Sequence, residues 1–171
     1  MATIDVRIGD ITTVRVDAIV NAANERLQAG GGVCGAIFHA AGDDELQDAC
    51  DAIGGCATGD AVATDAFALR ERGIIRIIHA VGPRWDGDED RCDHLLASAY
   101  RRALEIADEE GLTSIALPAL STGIFGFPSD RAARIATRTV RAYDGPMRTI
   151  VLIAFDAATA TLLERALADA P

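Results

Sequence analysis

Three short segments hold the residue types that could grip a ligand. The first is Asn21-Ala22-Ala23-Asn24, running on to Gly30-Gly31-Gly32-Val33-Cys34-Gly35. Glycines let backbone approach a ligand closely and adopt positive φ. A helix begins directly after them, so the N–H groups near Gly31, Gly32 and Val33 can converge on an anion. No Gly-Lys-Ser/Thr follows and the G-x-G-x-x-G spacing is absent, which excludes the two common phosphate-loop patterns. A flexible loop and helix start is the plain alternative. The second segment is Leu120-Ser121-Thr122-Gly123-Ile124-Phe125-Gly126-Phe127-Pro128. Small hydroxyls and glycines there form a nest of N–H donors, and the aromatics beside them can pack on a sugar or base. Phe127 reads as a core anchor. Ser121 lacks the G-x-S-x-G setting of an elbow nucleophile. The third is Gly9-Asp10-Ile11-Thr12. The Asp10 carboxylate could accept from an exocyclic amine or, equally well, close a turn on its own backbone.

These segments follow runs that read as strands. Thr3 to Ile8 alternates apolar and polar residues, a half-buried period of two. Ala18-Ile19-Val20, Ile74 to Val81, Ser114 to Leu117 and Thr149 to Phe155 are apolar or β-branched, the pattern of a sheet covered on both faces. Helices fall between them. Val33, Ile37 and Ala41 share one face. Leu46, Cys50 and Ile53 share another, with Asp43 or Asp44 as N-cap and Gly54-Gly55 as the stop. Leu96, Tyr100, Ala103 and Ala107 mark a third helix, closed by Gly111. Ala132, Ile135, Ala136 and Val140 follow Pro128-Ser129, and Thr159, Leu162, Leu163 and Ala166 mark the last. The fold class this predicts is α/β, a three-layer α/β/α sandwich of one domain over residues 1–171. Ligands of such folds bind beyond the carboxyl ends of the strands, where the three segments lie.

Composition narrows the function classes. The formal charge is −10, and all sixteen basic residues are Arg. An acidic surface argues against nucleic acid and against anionic membranes. An anionic ligand would therefore be held chiefly by backbone dipoles. No run reaches the ~20 apolar residues of a membrane span, and no secretory signal is visible. The expected location is the cytoplasm. Cys34, Cys50, Cys56 and Cys92 fit no zinc spacing, so neither a metal site nor a disulfide is expected, and no cofactor is implied. His39 and His79 read as structural, and His94 as solvated.

Five segments together resemble the macrodomain family: Gly9 to Thr12; Asp17 to Asn24; Gly30 to Val33 with Ala40-Ala41-Gly42; Ile78 to Pro83; and Ser121 to Pro128. The resemblance implies a mixed central sheet flanked by helices, and ADP-ribose as ligand. It places Asp10 on the adenine amine with a backbone contact from Ile11, and Phe155 against adenine. The amides around Gly31, Gly32, Val33 and Cys34, and those of Ser121, Thr122, Gly123, Ile124 and Phe125, would cradle the diphosphate. Asn24 and Phe125 would hold the distal ribose.

The MacroD-type branch, similar in its Ser-Thr-Gly-Ile-Phe-Gly-Phe-Pro stretch, removes mono-ADP-ribose from acidic side chains and deacetylates O-acetyl-ADP-ribose. It carries Asp where this chain has Cys34, and His where it has Phe38. Residues at the catalytic positions are Asn24, Gly32 and Cys34. Implied partners are ADP-ribose, an ADP-ribosylated protein or O-acetyl-ADP-ribose. Alternatives are a non-catalytic ADP-ribose reader, an ADP-ribose 1″-phosphate phosphatase, or a general nucleotide-binding domain. A thiolate role for Cys34 would be opposed by an adjacent diphosphate.

Overall fold

The computed structural model describes residues 1–169. Six strands form one sheet: β1 (Thr3–Ile8), β2 (Ala18–Ala22), β3 (Ala61–Asp65), β4 (Arg76–Ala80), β5 (Ser114–Pro118) and β6 (Thr149–Ala154). Their spatial order is β1-β6-β5-β2-β4-β3. All neighbours are parallel except β3, which runs antiparallel to β4 at one edge. The mixed sheet is thus a parallel five-strand body with one reversed edge strand.

Helices cover both faces because adjacent strand residues point to opposite sides. On β2, Ile19 packs with α1 (Gly32–Ala41) and α2 (Asp43–Ile53) through Ile37, Phe38 and Leu46. Its neighbours Ala18 and Val20 join the opposite core, built by α3 (Glu89–Glu109), α4 (Ser129–Arg141) and α5 (Ala157–Asp169). The α/β/α sandwich expected from the strand–helix alternation is the observed architecture.

Three local expectations change. Edge strand β3 has two alanines in five residues and lacks the β-branched run that marks the inner strands, so its pairing with β4 decides its state. Helix α2 starts one residue earlier than a capping Asp43 requires. Gly42, at φ 109, is both the C-cap of α1 and the N-cap of α2. Asp43, Asp44 and Glu45 then occupy the first turn, where their charge complements the helix dipole. His39 does not pack: its side chain is 87% exposed and its Nδ1 lies 3.5 Å from Asp43. It sits one position past the buried Phe38, about 100° around the helix.

No helix among the described residues is long and apolar enough to cross a membrane. The described residues contain no group of three or more His, Cys, Asp or Glu side chains placed to hold a metal ion.

Candidate functional site

Because β1, β2, β4, β5 and β6 are parallel, the segments that leave them emerge at one end of the sheet. There they enclose a cleft of about 780 Å³. Every residue singled out from the sequence lines it: Asp10, Ile11, Asn24, Gly31, Gly32, Val33, Cys34, Ser121 to Phe125, and Phe155. Strand order sets their sequence across the opening. Asp10 and Phe155 lie at the β1–β6 side, the Ser121–Phe125 loop and the α1 N-terminus at the middle, and Asn24, Gly82 and Arg84 toward β2 and β4.

The middle is a double row of unclaimed amides. Gly31 caps α1 with no side-chain hydrogen bond, and the first turn holds no acid. The first backbone bond of this turn runs from Gly35 N–H to Gly31 O, at 3.3 Å. The N–H groups of Gly32, Val33 and Cys34 therefore have no acceptor among the described residues, as at any helix start. Gly32 adopts φ +60, which turns the chain from the loop into the helix. The opposite loop shows the same trait. Among the described residues, no acceptor meets the amides of Ser121, Thr122, Gly123, Ile124 or Phe125, although Phe127 N–H donates to Ser121 O at 3.0 Å. Ser121 stands at φ +66. A left-handed non-glycine residue costs about 1–2 kcal/mol, strain of the kind that functional loops hold. Two facing sets of free donors in a neutral, largely apolar cleft suit a multiply charged anion.

At the β1–β6 side, Asp10 closes a turn on its own backbone. Its Oδ1 accepts from Thr12 N at 2.9 Å and Thr12 Oγ1 at 2.8 Å, which caps the turn Ile11–Thr13. Its other oxygen has no partner among the described residues and remains able to accept from an amine. Phe155 is 75% exposed and Ile124 is 90% exposed. Two large apolar side chains left bare at a cleft mouth mark a surface that a flat ligand can cover.

At the other end the Asn24 amide is committed to its own loop. Its Oδ1 accepts from Gln28 N at 3.1 Å and its Nδ2 donates to Gln28 O at 2.9 Å. One N–H of the Asn24 amide stays free for a ligand. Cys34 is buried, and its thiol donates to Gln28 O at 3.8 Å while accepting from Asn21 Nδ2 at 3.7 Å. Burial pushes the Cys34 thiol up, against a smaller downward pull from the Asn21 amide. Cys34 is a neutral space-filling group, and thiolate chemistry has no support. Behind it, His79 is fully buried between Asn21 Nδ2 and Thr64 Oγ1, each 3.0 Å from a ring nitrogen. Burial lowers its pKa to about 4.

Two contributors escaped the sequence reading. The Tyr100 hydroxyl, from the middle of α3, donates to Pro118 O at 2.8 Å and accepts from Leu120 N–H at 2.9 Å. It thereby anchors the root of the Ser121 loop, and nothing local to Tyr100 announces this. Arg84 lines the cleft two residues after Gly82, its guanidinium carbon 4.5 Å from the Phe125 ring centroid. Its position directly beyond a buried strand was the available signal.

Comparison with known proteins gives the family. The family model described as Macro domain matches residues 20–136. A macro domain-containing protein of Ralstonia nicotianae is 49% identical over 161 residues, covering 94% of this chain and 92% of its own. A Klebsiella pneumoniae protein named O-acetyl-ADP-ribose deacetylase is 44% identical over 174 residues, covering 98% and 97%. A mutant macrodomain of Oceanobacillus iheyensis, solved with ADPR, superposes with a TM-score of 0.90 at 34% identity, covering 98% of this chain and 92% of that one. The chain belongs to the macrodomain family.

Proposed function

We propose that this chain binds ADP-ribose in the cytoplasm and hydrolyses esters at its distal ribose, releasing mono-ADP-ribose from acidic side chains or acetate from O-acetyl-ADP-ribose. The observation that carries the reading is the pair of facing amide rows, at the α1 N-terminus and in Ser121–Phe125, flanked by Asp10 and Phe155 on one side and Asn24 on the other. Adenine would lie on Phe155 with its amine on the free oxygen of Asp10. The diphosphate would take the two amide rows, and the distal ribose would meet Asn24 and Phe125. The Oceanobacillus neighbour, solved with ADPR, and the name of the Klebsiella relative support this ligand and this chemistry.

Among the described residues no carboxylate lines the distal end of the cleft, since Asp10 is the one acid in its wall. Water would instead be oriented by a ligand phosphate oxygen and the free N–H of Asn24, with Cys34 neutral beside them. That same missing carboxylate favours a second reading, a non-catalytic ADP-ribose reader.

Titration calorimetry with ADP-ribose, ATP, AMP and NAD tests the ligand: micromolar preference for ADP-ribose is expected, and equal binding of ATP would sink the assignment. Incubation with a protein mono-ADP-ribosylated on Glu or Asp tests the chemistry. Loss of label, slowed by Asn24→Ala, is expected; retention of label at stoichiometric domain over hours would leave the reader.

A further inference from the structure

Among the described residues, the wall of the cleft carries two formal charges, Asp10 at one end and Arg84 at the other. Arg84 stands just before the acidic stretch 86–90, yet no carboxylate pairs with it among the described residues. Asp86 and Asp88 pair with Arg91, and Glu89 and Asp93 pair with Arg131. Arg84 lies instead over Phe125. The backbone keeps that arrangement in place, since Trp85 N–H donates to Phe125 O at 2.8 Å and the Trp85 ring packs on Phe127 at 4.9 Å between centroids.

A guanidinium stacked on an aromatic face is held by cation–π attraction and keeps its in-plane N–H edge for an acceptor. That edge is a fork matched to a carboxylate or phosphate. A neutral acetyl group has no use for it. We propose that Arg84 is a specificity-determining residue that selects ligands carrying an oxyanion on or next to the distal ribose. The inference rests on the ADP-ribose reading of the cleft and adds the class of group beyond the ribose. The oxyanion could be a phosphate on the ribose itself or a carboxylate of the peptide to which the ribose is joined.

The test measures affinities of the whole chain for two matched pairs: ADP-ribose against ADP-ribose 1″-phosphate, and a non-hydrolysable ADP-ribosyl peptide flanked by Glu against one flanked by Gln. The member of at least one pair that carries the extra oxyanion should bind about tenfold more tightly, the worth of one charge-assisted bidentate contact. The pair that responds identifies the source of the oxyanion. Arg84→Ala should bring that ratio close to one, and Arg84→Lys should restore part of it. If Arg84 only anchors the Phe125 loop, Arg84→Ala weakens all four ligands alike and the ratio stays put, which overturns the proposal. Equal affinities within both pairs for the unaltered chain also overturn it. Failure of ADP-ribose to bind at all would remove the cleft assignment and this inference with it.

Discussion

Gly82 and Ser121 lie so close across the floor of the cleft that a Cβ on Gly82 would stand 2.1 Å from the Ser121 hydroxyl oxygen. That hydroxyl is buried and has no hydrogen-bond partner among the described residues. The segment leaving β4 and the loop leaving β5 therefore touch where neither tolerates added bulk. Gly82→Ala is expected to destabilise the fold by about 1–3 kcal/mol through overpacking and to weaken ADP-ribose binding by displacing the Ser121 amide. Ser121→Ala removes the colliding oxygen and leaves no orphaned partner, so alone it should be nearly neutral for stability. The double variant should recover most of the loss in a melting experiment. A double variant as unstable as Gly82→Ala would show that backbone, and not the hydroxyl, sets the limit.

Tyr100 supports the same loop from beneath. Tyr100→Phe leaves Leu120 N–H and Pro118 O buried without their partner, at a cost of about 1–3 kcal/mol per group. Denaturant unfolding should show the loss, and hydrogen exchange at Leu120 should speed up. Unchanged exchange there would mean that the loop root is held by other contacts.

Cys34→Asp tests whether a missing carboxylate limits turnover. Residue 34 is in the first turn of α1, where the dipole favours a negative charge, and the Asn21 amide already points at the side chain. Release of ADP-ribose from a Glu-linked protein should rise roughly tenfold or more, with the ~10²–10⁴-fold effect of a positioned acid–base group as its upper bound. Cys34→Asn, of similar shape but neutral, should bring no gain. Equal rates for the two variants would show that charge at residue 34 does not limit the reaction.

His79 makes stability depend on pH. Its folded pKa of about 4 lies below the ordinary value of 6.5, so the unfolded chain binds the extra proton between these pH values. Stability is complete above about pH 6.5 and declines as pH falls toward 4, by up to about 3 kcal/mol at roughly 1.4 kcal/mol per unit. Urea unfolding at pH 7, 6, 5 and 4.5 should trace this decline. His79→Gln, which cannot protonate, should flatten it. The same slope in both proteins would assign the pH dependence to carboxylates instead.

The loops of the cleft were legible because their signals are local. Glycine runs and small hydroxyls follow directly on β-branched strands, and strand ends of a parallel sheet must gather at one side. Asp10 could not be resolved from sequence, since a turn-closing carboxylate and an amine acceptor use the same residue at the same place. In the fold one oxygen closes the turn and the other has no partner among the described residues. Helix faces misled where a single position mattered: Phe38 is buried and the adjacent His39 is exposed.

The order of apolar runs, turns and glycines by itself determined the α/β/α layering, five of the six strands and the two amide-bearing loops. Each of these depends on periodicity and on φ preferences that residues carry with them. Only the tertiary structure decided that Ala61–Asp65 pairs as a strand, that Tyr100 holds the loop root, that Gly82 abuts Ser121, and that Arg84 lies over Phe125 while four nearby acids pair with other arginines. Those depend on distances between residues far apart in the chain, and such distances exist only once the sheet has set the order of its strands.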